Sequence, residues 1–191
     1  MAVEKEGTET TESIVLAYDS DFEEAGSMPS TSPHSSSALK SVNLANFSAA
    51  TFRAFVLYRY TGTVNFRPLT SATGEVTFPN EVLKESMPGV TWRCSPKSLY
   101  SMADYFIVPS LKRLCKTAYL ASIGPNNLLH ELAHRFARQH QPISEALEDY
   151  ALENWPKITA SVTFDDDIQE VMEYPESRAV LLRILKKTSK R

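Results

Sequence analysis

From Ser48 onward the alternation of apolar and polar positions predicts a succession of helices. In "AATFRAFVLYRY" the apolar residues Phe52, Phe55, Val56 and Tyr60 recur at helical spacing, with Ser48 as the N-cap and Thr61-Gly62 as the end. Glycine accepts the left-handed backbone that stops a helix. "TVNF" then predicts a short extended piece. Residues 67–94 have weak periodicity and carry Pro68, Gly74, Pro79, Pro88 and Gly89, so they predict a loop insertion with one helical turn at 81–85. "CSPKSLYSMADYF" restarts the helical pattern, with Ser95 as cap and Pro96 in the first turn, where its missing N–H costs little. "SLKRLCKTAYLASI" predicts a second helix with Leu111, Leu114, Cys115 and Ala118 on one face, broken by Gly124-Pro125. A third helix, over 127–140, has an apolar stripe of Leu128, Leu129, Leu132, Ala133, Phe136 and Ala137. Its opposite face, His130, Glu131, His134, Arg135 and Arg138, reads as polar and solvated. Pro142 breaks that helix and Ser144 caps the next, "EALEDYALENW". The acidic "FDDDIQEVMEYPES" reads as a linker to a final amphipathic helix, "RAVLLRILKK".

Residues 1–40 follow another pattern. They are acidic around "DSDFEEAG" and then rich in Ser, Pro and Thr, too poor in apolar residues to offset chain entropy, which predicts a disordered acidic/Ser-rich segment. The exception is "IVLAY", residues 14–18, a strand if a partner exists; "SVNLAN", residues 41–46, reads as a short strand where order begins. With 191 residues, 42% hydrophobic and 10% aromatic, the chain can bury a sizeable core. A net charge of −3 argues against an extended basic face for nucleic acid. No apolar run reaches the length of a membrane span and the N-terminus is not a signal peptide, so a cytoplasmic or nuclear protein is expected. Cys94 and Cys115 then read as reduced thiols, and neither belongs to a Cys-x-x-Cys pair.

The stretch "HELAHRFARQH", residues 130–140, spells the H-E-x-x-H of zinc peptidases. On a continuous helix His130 and His134 share a face and can grip one Zn²⁺, with Glu131 placed to activate its water. A third ligand has two candidates. His140 has the metzincin spacing, but Ala137 stands where that pattern needs a turning Gly. Glu153, separated from His134 by eighteen intervening residues, has the spacing of a family of zinc aminopeptidases, which the motif resembles; their Gly-x-Met-Glu-Asn substrate motif is not found. A zinc site at His130, His134 and Glu153 is thus the alternative to a polar helix face that holds no metal or cofactor.

From Val42 the segments "FRAFVLYRYTGTVNF", "LYSMADYFIVPSLKRLC", "ASIGPNNLLHELAHRF" and "EALEDYALENW" follow in order, and together they resemble the second half of a BTB/POZ domain and its extension, fungal members above all. "FRAFVLYRYTGTVNF" looks like the family's helix ending in Tyr-Thr-Gly. "LYSMADYFIVPSLKRLC" resembles its Leu-x-x-x-Ala-Asp helix pair, with Phe106 where Tyr is usual. "ASIGPNNLLHELAHRF" and "EALEDYALENW" look like the helix that follows and the start of a BACK-type extension. The resemblance implies an α+β, predominantly α-helical fold: a partial BTB/POZ domain over 41–123 with the insertion at 67–94, BACK-like helices over 124–165, and an acidic linker and helix over 166–191. The family's first half, which carries the usual dimer interface, has no counterpart, so homo- or heterodimerisation by that route is not expected. What the resemblance implies for function is a non-enzymatic protein-interaction module, and in many relatives a substrate adaptor of a cullin-RING ubiquitin ligase. By position the cullin-facing residues map to Phe55, Arg59 and Tyr60, with Trp155 in the extension. The family's hydrophobic-x-Glu cullin motif is spelled only at Phe22-Glu23-Glu24, far upstream. A truncated, non-functional BTB fragment is the remaining alternative.

Overall fold

The computed structural model describes residues 47–72, 74–84 and 93–189. The expectations for residues 1–46, including the strands at 14–18 and 41–46, lie outside these residues, as does the part of the insertion over 85–92.

Helix α1 (Ala49–Thr61) has the ends its sequence predicts. The Ser48 hydroxyl accepts the Thr51 amide at 3.1 Å, and Gly62, at φ 71°, donates its N–H to the Tyr58 carbonyl. Its face is the surprise. The buried residues are Thr51 and Ala54, while Phe52 and Tyr60 are exposed and Val56 and Leu57 are half-buried. The helical spacing identifies the element, but at Phe52 and Tyr60 the stripe it traces points away from the core, while Phe55 packs against it. After α1, Phe66 and Cys94 form an isolated parallel bridge across the insertion, the β structure found among the described residues. Among the described residues the fold is accordingly predominantly α-helical. Within the insertion α2 (Asn80–Lys84) seats the buried Val82 and packs on α4.

Helices α3 (Pro96–Tyr105) and α4 (Pro109–Ala121) form the most extensively packed pair, and α1 lies against α3. Pro96 and Pro109 each occupy a first turn. Leu111, Leu114, Cys115 and Ala118 are buried along α4 as their spacing predicts. The corner between the two helices is closed by Val108 N–H on the Ala103 carbonyl at 2.8 Å and Ile107 N–H on the Asp104 carbonyl at 3.1 Å. That wrapping needs a left-handed residue, and Ile107 takes it at φ 54°.

The predicted helix over 127–140 is two helices. α5 (Leu128–Ala133) stops at His134, whose backbone is extended at ψ 143°, and α6 (Arg135–Gln139) starts from it. The apolar stripe is nonetheless buried at Leu128, Leu129, Leu132, Ala133, Phe136 and Ala137. α7 (Gln141–Thr159) begins earlier than expected, with Pro142 in its first turn, so Ser144 is inside the helix and not its cap. The acidic stretch expected as a linker is α8 (Phe164–Glu173), where Asp165, Asp166 and Asp167 fill the first turn and complement the helix dipole. α9 (Pro175–Thr188) closes the fold against α7 and α8. One apolar cluster runs from Ala54 to Ile184, through both the 41–123 and 124–165 segments, so these two segments share a core.

Candidate functional site

The kink at His134 separates the members of the H-E-x-x-H motif. His134 Nδ1 accepts the Phe136 amide at 3.1 Å, which makes this imidazole the N-cap of α6. The His130 and His134 ring centroids lie 6.5 Å apart at 58°. Glu131, expected on the solvated face, is fully buried. One carboxylate oxygen sits 3.1 Å from Lys97 Nζ and accepts the Tyr119 hydroxyl at 3.1 Å, and the other accepts the Ser71 hydroxyl at 2.5 Å. Asn127 extends the network: its amide donates to Ser71 and to the Ser122 carbonyl, and its oxygen accepts the Gly124 amide at 2.7 Å. Side chains from the insertion, α3, α4 and α5 therefore meet around one buried carboxylate. Both carboxylate oxygens of Glu131 therefore face protein donors.

The remaining motif residues disperse. Glu153 is exposed on α7. His140 joins α6 to α7 and packs its ring edge-on to Tyr100 and Phe136, each at a centroid distance of 4.9 Å. Arg138 lies over the Tyr174 ring, 3.8 Å from its centroid, instead of beside a cation site.

His130 has different neighbours. Its Nδ1 is 3.0 Å from a Glu170 oxygen, and Asp167 completes a group whose donor atoms lie within 4.8 Å of one another. No other group of three metal-ligating side chains lies this close among the described residues, and it contains neither His134 nor Glu153. Asp167 accepts the Thr163 hydroxyl at 2.7 Å while Glu170 pairs with His130, so protein donors already serve both carboxylates. In the sequence the acidic first turn of α8 reads as linker, which hides this α5–α8 contact.

A surface of another kind lies on α1. Phe52, Val56 and Tyr60 follow at four-residue spacing and form one stripe, opposite the buried Thr51 and Ala54. Tyr60 is 87% exposed. Arg53 and Arg59, both exposed, flank the stripe, and α1 contains no acidic residue. Beside it Phe55 packs on Phe106 at 4.9 Å, Phe106 meets Tyr105 at 5.0 Å, and Tyr105 meets Phe47 at 5.8 Å. Ile107, at the strained corner, is 83% exposed. Of the residues matched to a partner face, Phe55, Arg59 and Tyr60 thus share one side of the molecule. Trp155 is half-buried on α7 and rests edge-on against Phe164 at 6.0 Å, a packing role between α7 and α8.

In comparisons with protein-family models, curated proteins and solved structures, nothing matches this chain. Among the described residues no helix is long and apolar enough to cross a membrane.

Proposed function

We propose that the chain is a non-catalytic protein-interaction module of the BTB–BACK kind, acting as a substrate adaptor of a cullin-RING ubiquitin ligase. The observation that carries the interaction reading is the outward stripe of Phe52, Val56 and Tyr60 on α1, joined at its side by Tyr105, Phe106 and Ile107. Exposed apolar residues scattered singly are ordinary, whereas a contiguous group rimmed by charge marks a docking surface. Arginine and aromatic residues are also the side chains enriched where binding energy concentrates. The adaptor reading rests on the resemblance, which maps the cullin-facing helix onto this same α1.

The test is capture of a purified fungal cullin by the purified chain. Binding by the wild type and its loss in Tyr60→Ala, with an unchanged circular dichroism spectrum, is the expected result. A folded chain that binds the cullin neither as wild type nor as an Ile14→Asp/Leu16→Asp variant removes the adaptor reading. The zinc-peptidase alternative gains nothing from the geometry of its motif. Glu131 is engaged by Lys97, and His134 Nδ1 by a backbone amide.

A further inference from the structure

The α1 surface has the chemistry to receive a short apolar segment followed by carboxylates. Its centre is the Phe52–Val56–Tyr60 stripe and its rim is Arg53 and Arg59, neither of which has an ion-pair partner among the described residues. This chain contains such a segment. Ile14, Val15, Leu16 and Tyr18 are followed at once by Asp19, Asp21, Glu23 and Glu24, with Phe22 among the acids. The other such order before the helices, Met1 to Val3 followed by Glu4 and Glu6, is shorter and carries the base Lys5.

We propose that residues 14–24 dock on the α1 stripe of the same chain and occlude it. This deepens the interaction reading and rests on it, since the occupied face is the one assigned to the partner. Three observations support this occupant. The charges are complementary: two arginines and no acid on α1, four acids and no base in the segment. The described chain starts at the surface itself, because the Phe47 ring lies 5.8 Å from that of Tyr105. The reach is sufficient: residues 25–46 fully extended span at most roughly 80 Å, and α1 is only ~20 Å long. The apolar run would cover Phe52, Val56 and Tyr60 while the carboxylates meet Arg53 and Arg59. An intramolecular occupant has a high effective concentration, so even a weak contact keeps the face covered until a tighter-binding partner displaces it.

NMR on the full-length chain tests this. The spectra compare wild type, Ile14→Asp/Leu16→Asp, and Arg59→Glu with and without Glu23→Lys/Glu24→Lys. Docking is expected to give nuclear Overhauser contacts between the Leu16 methyls and the Tyr60 ring that survive dilution. The Asp pair and Arg59→Glu should abolish these contacts and shift the Val56 and Tyr60 resonances, and the charge-swapped lysines should restore them. Unchanged Val56 and Tyr60 resonances in the Asp pair overturn the proposal. So do contacts found only between differently labelled molecules, because the occupant is then a second copy. The cullin capture separates this from the parent reading. If the segment does not dock but Tyr60→Ala still loses the cullin, only self-occlusion is wrong. If the segment docks and neither the wild type nor the Asp pair binds the cullin, occlusion stands and the adaptor reading falls. If both hold, the Asp pair binds the cullin several-fold more tightly than wild type.

Discussion

Lys97 and Glu131 form an ion pair at 3.1 Å with side chains 3% and 0% exposed. A pair so thoroughly removed from water is tolerated only when its remaining donors and acceptors are also served. Here Tyr119 and Ser71 serve the carboxylate, which ties the insertion loop to α3, α4 and α5. Glu131→Gln leaves a buried ammonium without its counter-charge and is expected to cost about 3–5 kcal/mol. Urea unfolding measures it. Adding Lys97→Met to Glu131→Gln should recover part of the loss, because the uncompensated charge is then gone. A change below about 0.5 kcal/mol in the single variant, the range of ordinary surface substitutions, would contradict this account.

What was legible in the sequence divides along physical lines. Local chemistry was readable: the Ser48 cap, the Gly62 stop and the proline first turns of α3 and α4 depend on near neighbours alone. So was the apolar stripe from Leu128 to Ala137, although the chain kinks at His134 beneath it. The burial of Glu131 was not, since it depends on Lys97 and Ser71, sixty residues away in the latter case. On a helical wheel Glu131 lies at the edge of the Leu128–Leu132 arc, which was the available signal. The outward direction of Phe52, Val56 and Tyr60 was equally hidden. Periodicity says that apolar residues share a face, not that the face is covered.

Ile107 holds a left-handed backbone at φ 54° as a β-branched residue, and its side chain is 83% exposed. L-residues other than Gly, Asn and Asp pay about 1–2 kcal/mol for this conformation. Ile107→Gly should therefore stabilise the fold by up to about 1 kcal/mol, once the greater unfolded-chain entropy of glycine is set against it. A raised urea midpoint with an unchanged slope is the signature. The same substitution should weaken cullin capture, because it deletes an apolar side chain from the partner face. A variant both less stable and equally bound contradicts both halves of the argument.

The two thiols should be inert. Burial pushes Cys94 up to about 12, against smaller opposing effects from Arg67 and a backbone hydrogen bond. Cys115, enclosed on α4, is raised well above the ordinary thiol value, again chiefly by burial. The thiolate is the reactive form, so neither should react at pH 8 with an aromatic disulfide reagent in the native state. Both should react fully in denaturant. Rapid native labelling of Cys115 would show that the α3–α4 packing opens readily, and of Cys94 that the Phe66–Cys94 bridge does.

His140 should make stability depend on pH. Burial between Tyr100 and Phe136 lowers its pKa from the usual 6.5, and Lys112 acts in the same direction; Asp104, 3.9 Å from Nδ1, opposes them. Between the lowered folded value and 6.5 the unfolded chain binds more protons at this site than the folded one. Stability at this site therefore rises with pH through that window and is fully present above the unfolded value. Glu148 belongs to a lower window. Burial alone would raise its pKa, but Lys187 and Arg183 outweigh burial and hold it below 4.5, so its contribution is lost only as pH falls through that depressed value. Urea midpoints measured between pH 5 and 7.5 should climb in the wild type. His140→Phe keeps an aromatic ring in the same pocket and removes the titration, so its slope over this interval should be shallower. Equal slopes in the two proteins would assign the dependence to another group.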